Sequence, residues 1–128
     1  MKILVVDDEL PVCDFLEEFL SLHGHEVFTA MSGEEAVSSF RKKRADVVLM
    51  DIKMPGISGI DALRMIKQID SNTGVFILSA FGDPYTKQKA FQSGADFFME
   101  KPIEIDILLH ELDKWQDSHK LRGIDEST

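Results

Sequence analysis

Five short runs of apolar residues, separated by longer segments of mixed polarity, constrain the fold of this chain more than any other feature. Each run is three or four residues long and consists almost entirely of aliphatic and aromatic side chains. Runs of this kind are typical of β-strands that are buried on both faces. The five runs are residues 3–6, 27–30, 47–50, 75–78 and 97–99.

The segments between these runs have the spacing of amphipathic helices. Apolar residues from Val12 to Leu20 recur every three or four positions, which places them on one helix face. Ser32, Ser58 and Asp83 stand where helix N-caps are expected. Strands that alternate with helices pair in parallel, with helices covering both faces of the sheet. The sequence therefore predicts an α/β fold, a three-layer (βα)5 doubly wound parallel sheet.

The length and composition limit the domain count and the function classes. The 128 residues suffice for one domain, which we expect to span residues 1–116, with 117–128 as a polar C-terminal tail or the start of a linker. The formal net charge of −9 argues against nucleic-acid binding, which depends on excess Lys and Arg. No apolar run approaches the ~20 residues of a membrane span, and the lone Cys13 cannot form an internal disulfide. We therefore expect a cytoplasmic protein that binds neither nucleic acid nor membrane.

Polar residues follow four of the five predicted strands, close to the point where each strand ends. Asp7 and Asp8 follow the first strand and Asp51 follows the third. Ser79 follows the fourth strand, and Lys101 follows the fifth after one intervening residue. Each residue alone has a simpler interpretation as a helix cap, a turn residue or an exposed lysine. Because ligands of open parallel sheets bind beyond the carboxyl ends of the strands, we expect these residues to converge there.

The predicted cluster has a composition suited to phosphoryl chemistry. Three neighbouring carboxylates raise one another's pKa, and a divalent cation relieves their repulsion. Oxygen ligands favour Mg²⁺ or Ca²⁺, and Mg²⁺ in particular accepts phosphate oxygens. Asp51 could then attack phosphorus, as carboxylates do when aspartyl phosphates form. We expect Lys101 to neutralise one phosphoryl oxygen and the Ser79 hydroxyl to donate to another.

Four segments of the chain resemble the receiver domain of two-component response regulators. They are residues 5–9, 49–56, 79–80 and 99–102, in the order and at the approximate spacing of that family. An acidic pair alone would be a weak match, whereas four segments in register are a specific one. The resemblance runs from Met1 to about Trp115 and implies the flavodoxin-like strand order 2-1-3-4-5.

The resemblance implies that Asp51 is the phosphoacceptor, modified by a sensor histidine kinase or a phosphotransfer protein within a phosphorelay. It implies a Mg²⁺ cofactor and a module that is not an enzyme, because it catalyses only its own phosphoryl transfer and dephosphorylation. The bond between Lys101 and Pro102 resembles the cis peptide of the family. The implied metal ligands are Asp8, Asp51, the carbonyl of Lys53 and, through a water, Asp7. The implied phosphoryl contacts are Lys101, the Ser79 hydroxyl and the N–H of Ala80.

The resemblance also implies a conformational switch. Phe98 occupies the position of the family's switch aromatic, and phosphorylation would draw Ser79 toward the phosphate and let Phe98 rotate inward. Simple packing of Phe98 in the core is the alternative. The responding surface would comprise the fourth helix, the fifth strand and the fifth helix, and would bind an output domain or a second copy of the chain. Lys53 and Phe81 flank the site, where the family tunes the phosphoryl lifetime.

Three other interpretations use related features. A haloacid-dehalogenase-like phosphatase also has an Asp nucleophile after a strand, but it needs a second Asp where this chain has Lys53. A flavodoxin-like cofactor protein needs a phosphate-binding loop after the first strand, where Asp7 and Asp8 would repel phosphate. A pseudo-receiver would bind partners without phosphorylation, although every side chain needed for phosphorylation is present.

Overall fold

The computed structural model describes residues 1–127, with side chains through His119, and it contains one five-stranded sheet covered by five helices. The strand order is β2-β1-β3-β4-β5, and every adjacent pair is parallel. The predicted three-layer fold and strand order are therefore confirmed. The elements in chain order are β1 (Lys2–Val6), α1 (Leu10–Leu22), β2 (Glu26–Ala30), α2 (Gly33–Lys42), β3 (Val47–Met50), α3 (Gly59–Ile69), β4 (Gly74–Ser79), α4 (Pro84–Gln92), β5 (Phe97–Glu100) and α5 (Ile105–Ser127).

Two apolar clusters, one on each face of the sheet, form the core. On one face, α1 and α5 pack against the strands through residues such as Leu16 and Leu112. On the other face, α2, α3 and α4 pack through residues that include Phe40, Leu63 and Ala90. Successive strand residues point to opposite faces, so the unbroken apolar runs supply both clusters at once.

Strand register brings the ends of the central strands together. Val6, the last residue of β1, pairs with Ala30 of β2 and with Met50, the last residue of β3. At the other side of the sheet, Ser79 at the end of β4 pairs with Glu100 at the end of β5. The residues that follow β1 and β3 therefore emerge side by side at one edge.

The helix starts follow the predicted capping residues. The Ser32, Ser58 and Asp83 side chains accept hydrogen bonds from the backbone N–H three positions onward. α1 differs, because its N-cap is Glu9, whose side chain makes no capping hydrogen bond. Capping of α1 by the preceding acidic pair, the simpler interpretation of those residues, does not occur.

The last two helices differ in how firmly they are held. α4 buries only Ala90, whereas α5 buries Leu108 and Leu112 completely. α5 continues beyond residue 116, where we expected the domain to end, and Thr128, the last residue of the predicted tail, lies outside the described residues. None of the helices in residues 1–127 combines the length and apolarity that crossing a membrane requires.

Candidate functional site

Two backbone hydrogen bonds beyond the strand ends fix the central carboxylates of the site. The N–H of Asp7 donates to the carbonyl of Ala30 at 3.1 Å, and the N–H of Asp51 donates to the carbonyl of Val6 at 3.0 Å. The parallel ladder thus extends one residue past β1 and past β3. Because backbone pairing sets these positions, the two aspartates lie next to each other at the carboxyl edge of the sheet.

A cluster of three carboxylates forms at this edge. One carboxylate oxygen from each of Asp7, Asp8 and Asp51 lies within 4.8 Å of the other two. Asp7 and Asp51 are buried, whereas Asp8 is exposed. Asp7 Oδ1 accepts a hydrogen bond from the N–H of Glu9 at 2.9 Å, which orients this carboxylate. The structure therefore brings together the three acidic residues that the sequence predicted to converge.

Lys101, which directly follows the edge strand β5, connects this cluster to β4 and β5. Its Nζ donates to Asp7 Oδ2 at 2.7 Å and to Asp51 Oδ2 at 3.3 Å. Its backbone N–H donates to the carbonyl of Ser79 at 2.7 Å, which ties the segment after β5 to the end of β4. The peptide bond between Lys101 and Pro102 is cis, as the resemblance implied.

The charges of the site oppose its burial. Burial raises the pKa of Asp51 above its ordinary value, Lys101 partly counteracts this effect, and the nearby charge of Asp7 adds to it. Burial alone would lower the pKa of Lys101, but its hydrogen bond to Asp7 and the charge of Asp51 outweigh burial and raise that pKa. Lys101 is therefore held in the charged form, while ionised Asp51 is electrostatically costly.

The donor set fits a hard divalent cation. Three carboxylates lie together and one ammonium group pairs with two of them, so the cluster keeps a negative charge that an added cation would neutralise. All available ligand atoms in the cluster are oxygens, which Mg²⁺ prefers, and the exposed Asp8 leaves a route from solvent. The residues present are thus suited to Mg²⁺.

The predicted phosphoryl contacts lie on the adjacent strand. Ser79 is completely buried at the end of β4, and its Oγ accepts a hydrogen bond from the N–H of Phe81 at 3.1 Å. Ala80 is exposed. No hydrogen bond joins the Ser79 hydroxyl to Asp51 in the described part of the chain, so the phosphoryl contacts of Ser79 and Ala80 stay predictions.

A cation–π contact bridges the loop after β3 and the loop after β4, beside the site. Lys53 Nζ lies 4.4 Å from the centroid of the Phe81 ring, which is 44% exposed. Lys53 follows Asp51 by two residues and Phe81 follows Ser79 by two. The sequence identified both positions as flanking the site, but the contact between them is visible only in the structure. The carbonyl of Lys53 stays a predicted metal ligand.

The predicted switch aromatic is half-buried between the sheet and α4. The ring centroid of Phe98 lies 6.5 Å from that of Phe91, and Lys87 Nζ lies 5.8 Å from the Phe98 centroid. Both neighbours belong to α4, the helix that buries only Ala90. The Phe98 ring thus contacts the most loosely packed helix, while its role as a switch stays a prediction.

Gly59 supports the site in a way that the sequence analysis did not identify. A Cβ atom at this buried position would lie 2.0 Å from the carbonyl oxygen of Asp51. The N–H of Gly59 donates to the carbonyl of Ile52 at 2.8 Å. Only glycine allows this close approach between the start of α3 and the residue after β3. The sequence did contain a signal for this close approach, because a glycine stands at the first helical position, directly after the Ser58 cap.

The family comparison agrees with this geometry. The family model described as "response regulator receiver domain" matches residues 3–113. The chain belongs to this family. Its acidic pocket of Asp7, Asp8 and Asp51 fits the phosphorylation site of receiver domains in two-component systems. The chain is therefore a signalling receiver domain and not a classical enzyme.

Individual relatives are similar over most of the chain. The chain is 36% identical over 114 residues to the sporulation initiation phosphotransferase F of Bacillus subtilis. This alignment covers 89% of this chain and 92% of that protein. The chain is also 37% identical over 114 residues to the chemotaxis protein CheY of the same organism. That alignment covers 88% of this chain and 95% of CheY. The chain spans only 47% of the cell cycle transcriptional regulator CtrA of Caulobacter vibrioides, so some relatives are much longer.

A solved relative contains the metal that the pocket fits. The response regulator TrrA of Thermotoga maritima, solved in complex with Mg²⁺ and BeF, is 33% identical to this chain. The superposition has a TM-score of 0.81 and covers 89% of this chain and 97% of that one. The family, together with the acidic pocket, favours a receiver over the phosphatase and flavodoxin-like interpretations.

Replacing Asp51 with Asn should stabilise the metal-free protein at neutral pH. The pKa of Asp51 in the folded protein lies above its ordinary value of 3.8, so the folded state favours the protonated carboxyl. The stability that Asp51 contributes is therefore present at low pH and is lost as the pH rises through the folded-state pKa. The advantage of D51N should therefore be largest at about pH 7 and shrink toward about pH 4. Urea unfolding in EDTA measures it, and a less stable D51N protein at neutral pH would contradict the direction of the shift.

Proposed function

We propose that Asp51 accepts a phosphoryl group from a histidine kinase or a phosphotransfer protein in a Mg²⁺-dependent reaction. The observation that carries this proposal is the ammonium group of Lys101, which lies between the Asp7 and Asp51 carboxylates beside the exposed Asp8. A nucleophilic carboxylate, a fixed cation and oxygen ligands for a metal are the parts that phosphoryl transfer to aspartate needs.

The proposed reaction is a direct transfer in line with the attacking oxygen. A carboxylate oxygen of Asp51 forms a bond to phosphorus as the bond from phosphorus to the donor's histidine nitrogen breaks. Lys101, already oriented by Asp7, then contacts a phosphoryl oxygen, and Ser79 and the N–H of Ala80 contact another. Water later attacks the same phosphorus atom, which releases inorganic phosphate and restores the carboxylate.

Mg²⁺ would be held by Asp8, Asp51 and the carbonyl of Lys53, with Asp7 binding through a water. When bound, the ion supplies positive charge that neutralises the phosphoryl oxygens. Asp8 suits a direct ligand because it is exposed, whereas one oxygen of Asp7 bonds to Lys101 and the other to the N–H of Glu9. This difference supports assigning the water-mediated position to Asp7.

An apolar surface next to Lys101 supports a protein as the phosphoryl donor. Pro11, Val12 and Phe15 of α1 line a groove together with Pro102 and Ile103. Phe15 is 51% exposed, so its ring adds to the apolar surface that this groove offers to a partner. A donor that brings a phosphohistidine to Asp51 must approach this edge of the sheet, where the groove would offer it an apolar surface to bind.

The response to phosphorylation would involve α4, β5 and α5. Ser79, drawn toward the phosphoryl group, would leave room for Phe98 to move inward from its place against α4. Because α4 buries only Ala90, moving it disrupts little packing. The exposed Tyr85 and Phe91 on α4 would then contact an output domain or a second copy of the chain.

Incubation with acetyl phosphate and Mg²⁺ tests the proposed reaction. Intact-mass analysis should show one added phosphoryl group, because acetate can leave in place of histidine when Asp51 attacks. The modification should be absent in EDTA and in the D51N protein.

The D117N protein is the matched control, because Asp117 is an exposed aspartate of α5 that lies outside the acidic cluster. It should be modified like the original protein. Modification that persists in D51N would remove Asp51 from its role. A protein that folds and binds Mg²⁺ but is never modified would instead support a pseudo-receiver.

Removing the Phe81 ring should shorten the lifetime of the phosphorylated state. In this proposal the ring, held by its contact with the Lys53 ammonium, shields the phosphoryl group from water, and an exposed cation–π contact contributes about 0.5–1 kcal/mol. We expect F81A to lose its phosphoryl group about two- to five-fold faster. Loss of the added mass with time, after removal of acetyl phosphate, gives the rate.

The F81Y protein keeps the aromatic ring and should retain the original lifetime. The Y85A protein loses an exposed ring from α4 and should also keep the original lifetime. An F81A protein whose phosphoryl group lasts as long as the original, or longer, would show that the ring does not shield the site.

A further inference from the structure

We propose that Glu34 is a positioning residue for the metal site, because its side chain fixes the loop between β3 and α3. This inference rests on the proposed function, in which the loop supplies the Lys53 carbonyl to Mg²⁺. Glu34 belongs to α2 and is remote in sequence from every proposed ligand. It therefore acts through the loop and touches none of the reacting atoms.

The carboxylate of Glu34 lies against the tip of the loop. Its Oε1 accepts a hydrogen bond from the N–H of Ile57 at 2.7 Å. A Cβ atom added to Gly56 would lie 2.3 Å from Glu34 Oε2, so the carboxylate occupies the space beside the Gly56 backbone. Gly56 has a φ of +83°, a conformation that favours glycine.

The start of α2 is fitted to the same loop. A Cβ atom on the buried Gly33 would lie 2.5 Å from Ile57 Cγ1 and 3.1 Å from the Ile57 carbonyl oxygen. The first turn of α2 therefore contacts the loop through backbone as well as through the Glu34 side chain. Its position is fixed by the Ser32 cap, which accepts a hydrogen bond from the N–H of Glu35.

The loop has few other attachments. At its base, the N–H of Gly59 bonds to the carbonyl of Ile52. Within the part of the chain whose side chains are described, Glu34 is the sole side chain that hydrogen-bonds to residues 53–57. Lys53 lies between these two attachments, so the hydrogen bond from Ile57 to Glu34 restricts where the Lys53 carbonyl can lie.

Glu35 provides a matched comparison within the same helical turn. It carries the same charge and is also exposed, but its Oε2 accepts a hydrogen bond from the N–H of Met31, directly before the α2 cap. Loss of Glu35 thus weakens the start of α2 and removes one negative charge without removing the contact to the loop. Comparing the two glutamates separates loop positioning from helix stability and from long-range electrostatics.

The test measures Mg²⁺ affinity by calorimetry for the original protein and for E34A, E34Q and E35A. We expect E34A to bind Mg²⁺ about 10-fold more weakly. Removing a group that orients a metal ligand typically weakens metal binding by about 10- to 100-fold, and this expectation lies at the lower end of that range. E34Q keeps an oxygen acceptor for the Ile57 N–H, so its Mg²⁺ affinity should stay within about three-fold of the original. This loss is smaller than the loss expected when the whole acceptor group is removed. E35A should bind Mg²⁺ normally, although its thermal unfolding temperature should fall as a lost helix cap requires.

Hydrogen exchange of the Ile57 amide gives a second readout without metal. It should quicken in E34A and stay slow in E35A, since its hydrogen bond is accepted by the Glu34 carboxylate. Equal Mg²⁺ affinity in E34A and E35A would overturn the positioning role, even if both variants are less stable. Failure of the original protein to bind Mg²⁺ or accept a phosphoryl group would instead refute the proposed function, so the two failures are distinguishable.

Discussion

The site depends on one constraint, the crowding of three carboxylates at the edge of a parallel sheet, where a single ammonium group pairs with two of them. Backbone pairing of β1 with β3 holds Asp7 and Asp51 together, and neither can move apart without breaking the ladder. Lys101 offsets part of the repulsion, and the rest is a cost to the fold that a bound cation removes. The protein thus sacrifices stability where it needs affinity for metal and phosphoryl groups.

Most of this arrangement could be predicted from the sequence because the signals are local. Unbroken apolar runs identify buried parallel strands, and the parallel arrangement alone places the residues after Val6 and Met50 at one edge. Ser32 and Ser58 likewise mark helix starts through their own chemistry. Such predictions need no knowledge of which side chains meet across the fold.

The supporting contacts could not be predicted in this way because they join distant segments. The approach of Gly59 to the Asp51 carbonyl, the contact of Lys53 with Phe81 and the hydrogen bond from Ile57 to Glu34 each depend on loop conformation. No periodicity specifies that conformation. The sequence shows a glycine or a glutamate in a suitable place, and only the coordinates show what it touches.

Amide chemical-shift mapping with Mg²⁺ and beryllofluoride, a phosphoryl mimic, would show whether the acidic pocket binds a phosphoryl group on Asp51. We expect the largest changes on residues around Asp51, Ser79 and Lys101, and we expect them to extend to Phe98 and α4. All of these changes should be lost in the D51N protein. Changes that are absent, or that leave Asp51 and Lys101 unaffected, would contradict a phosphoryl site built on this acidic pocket.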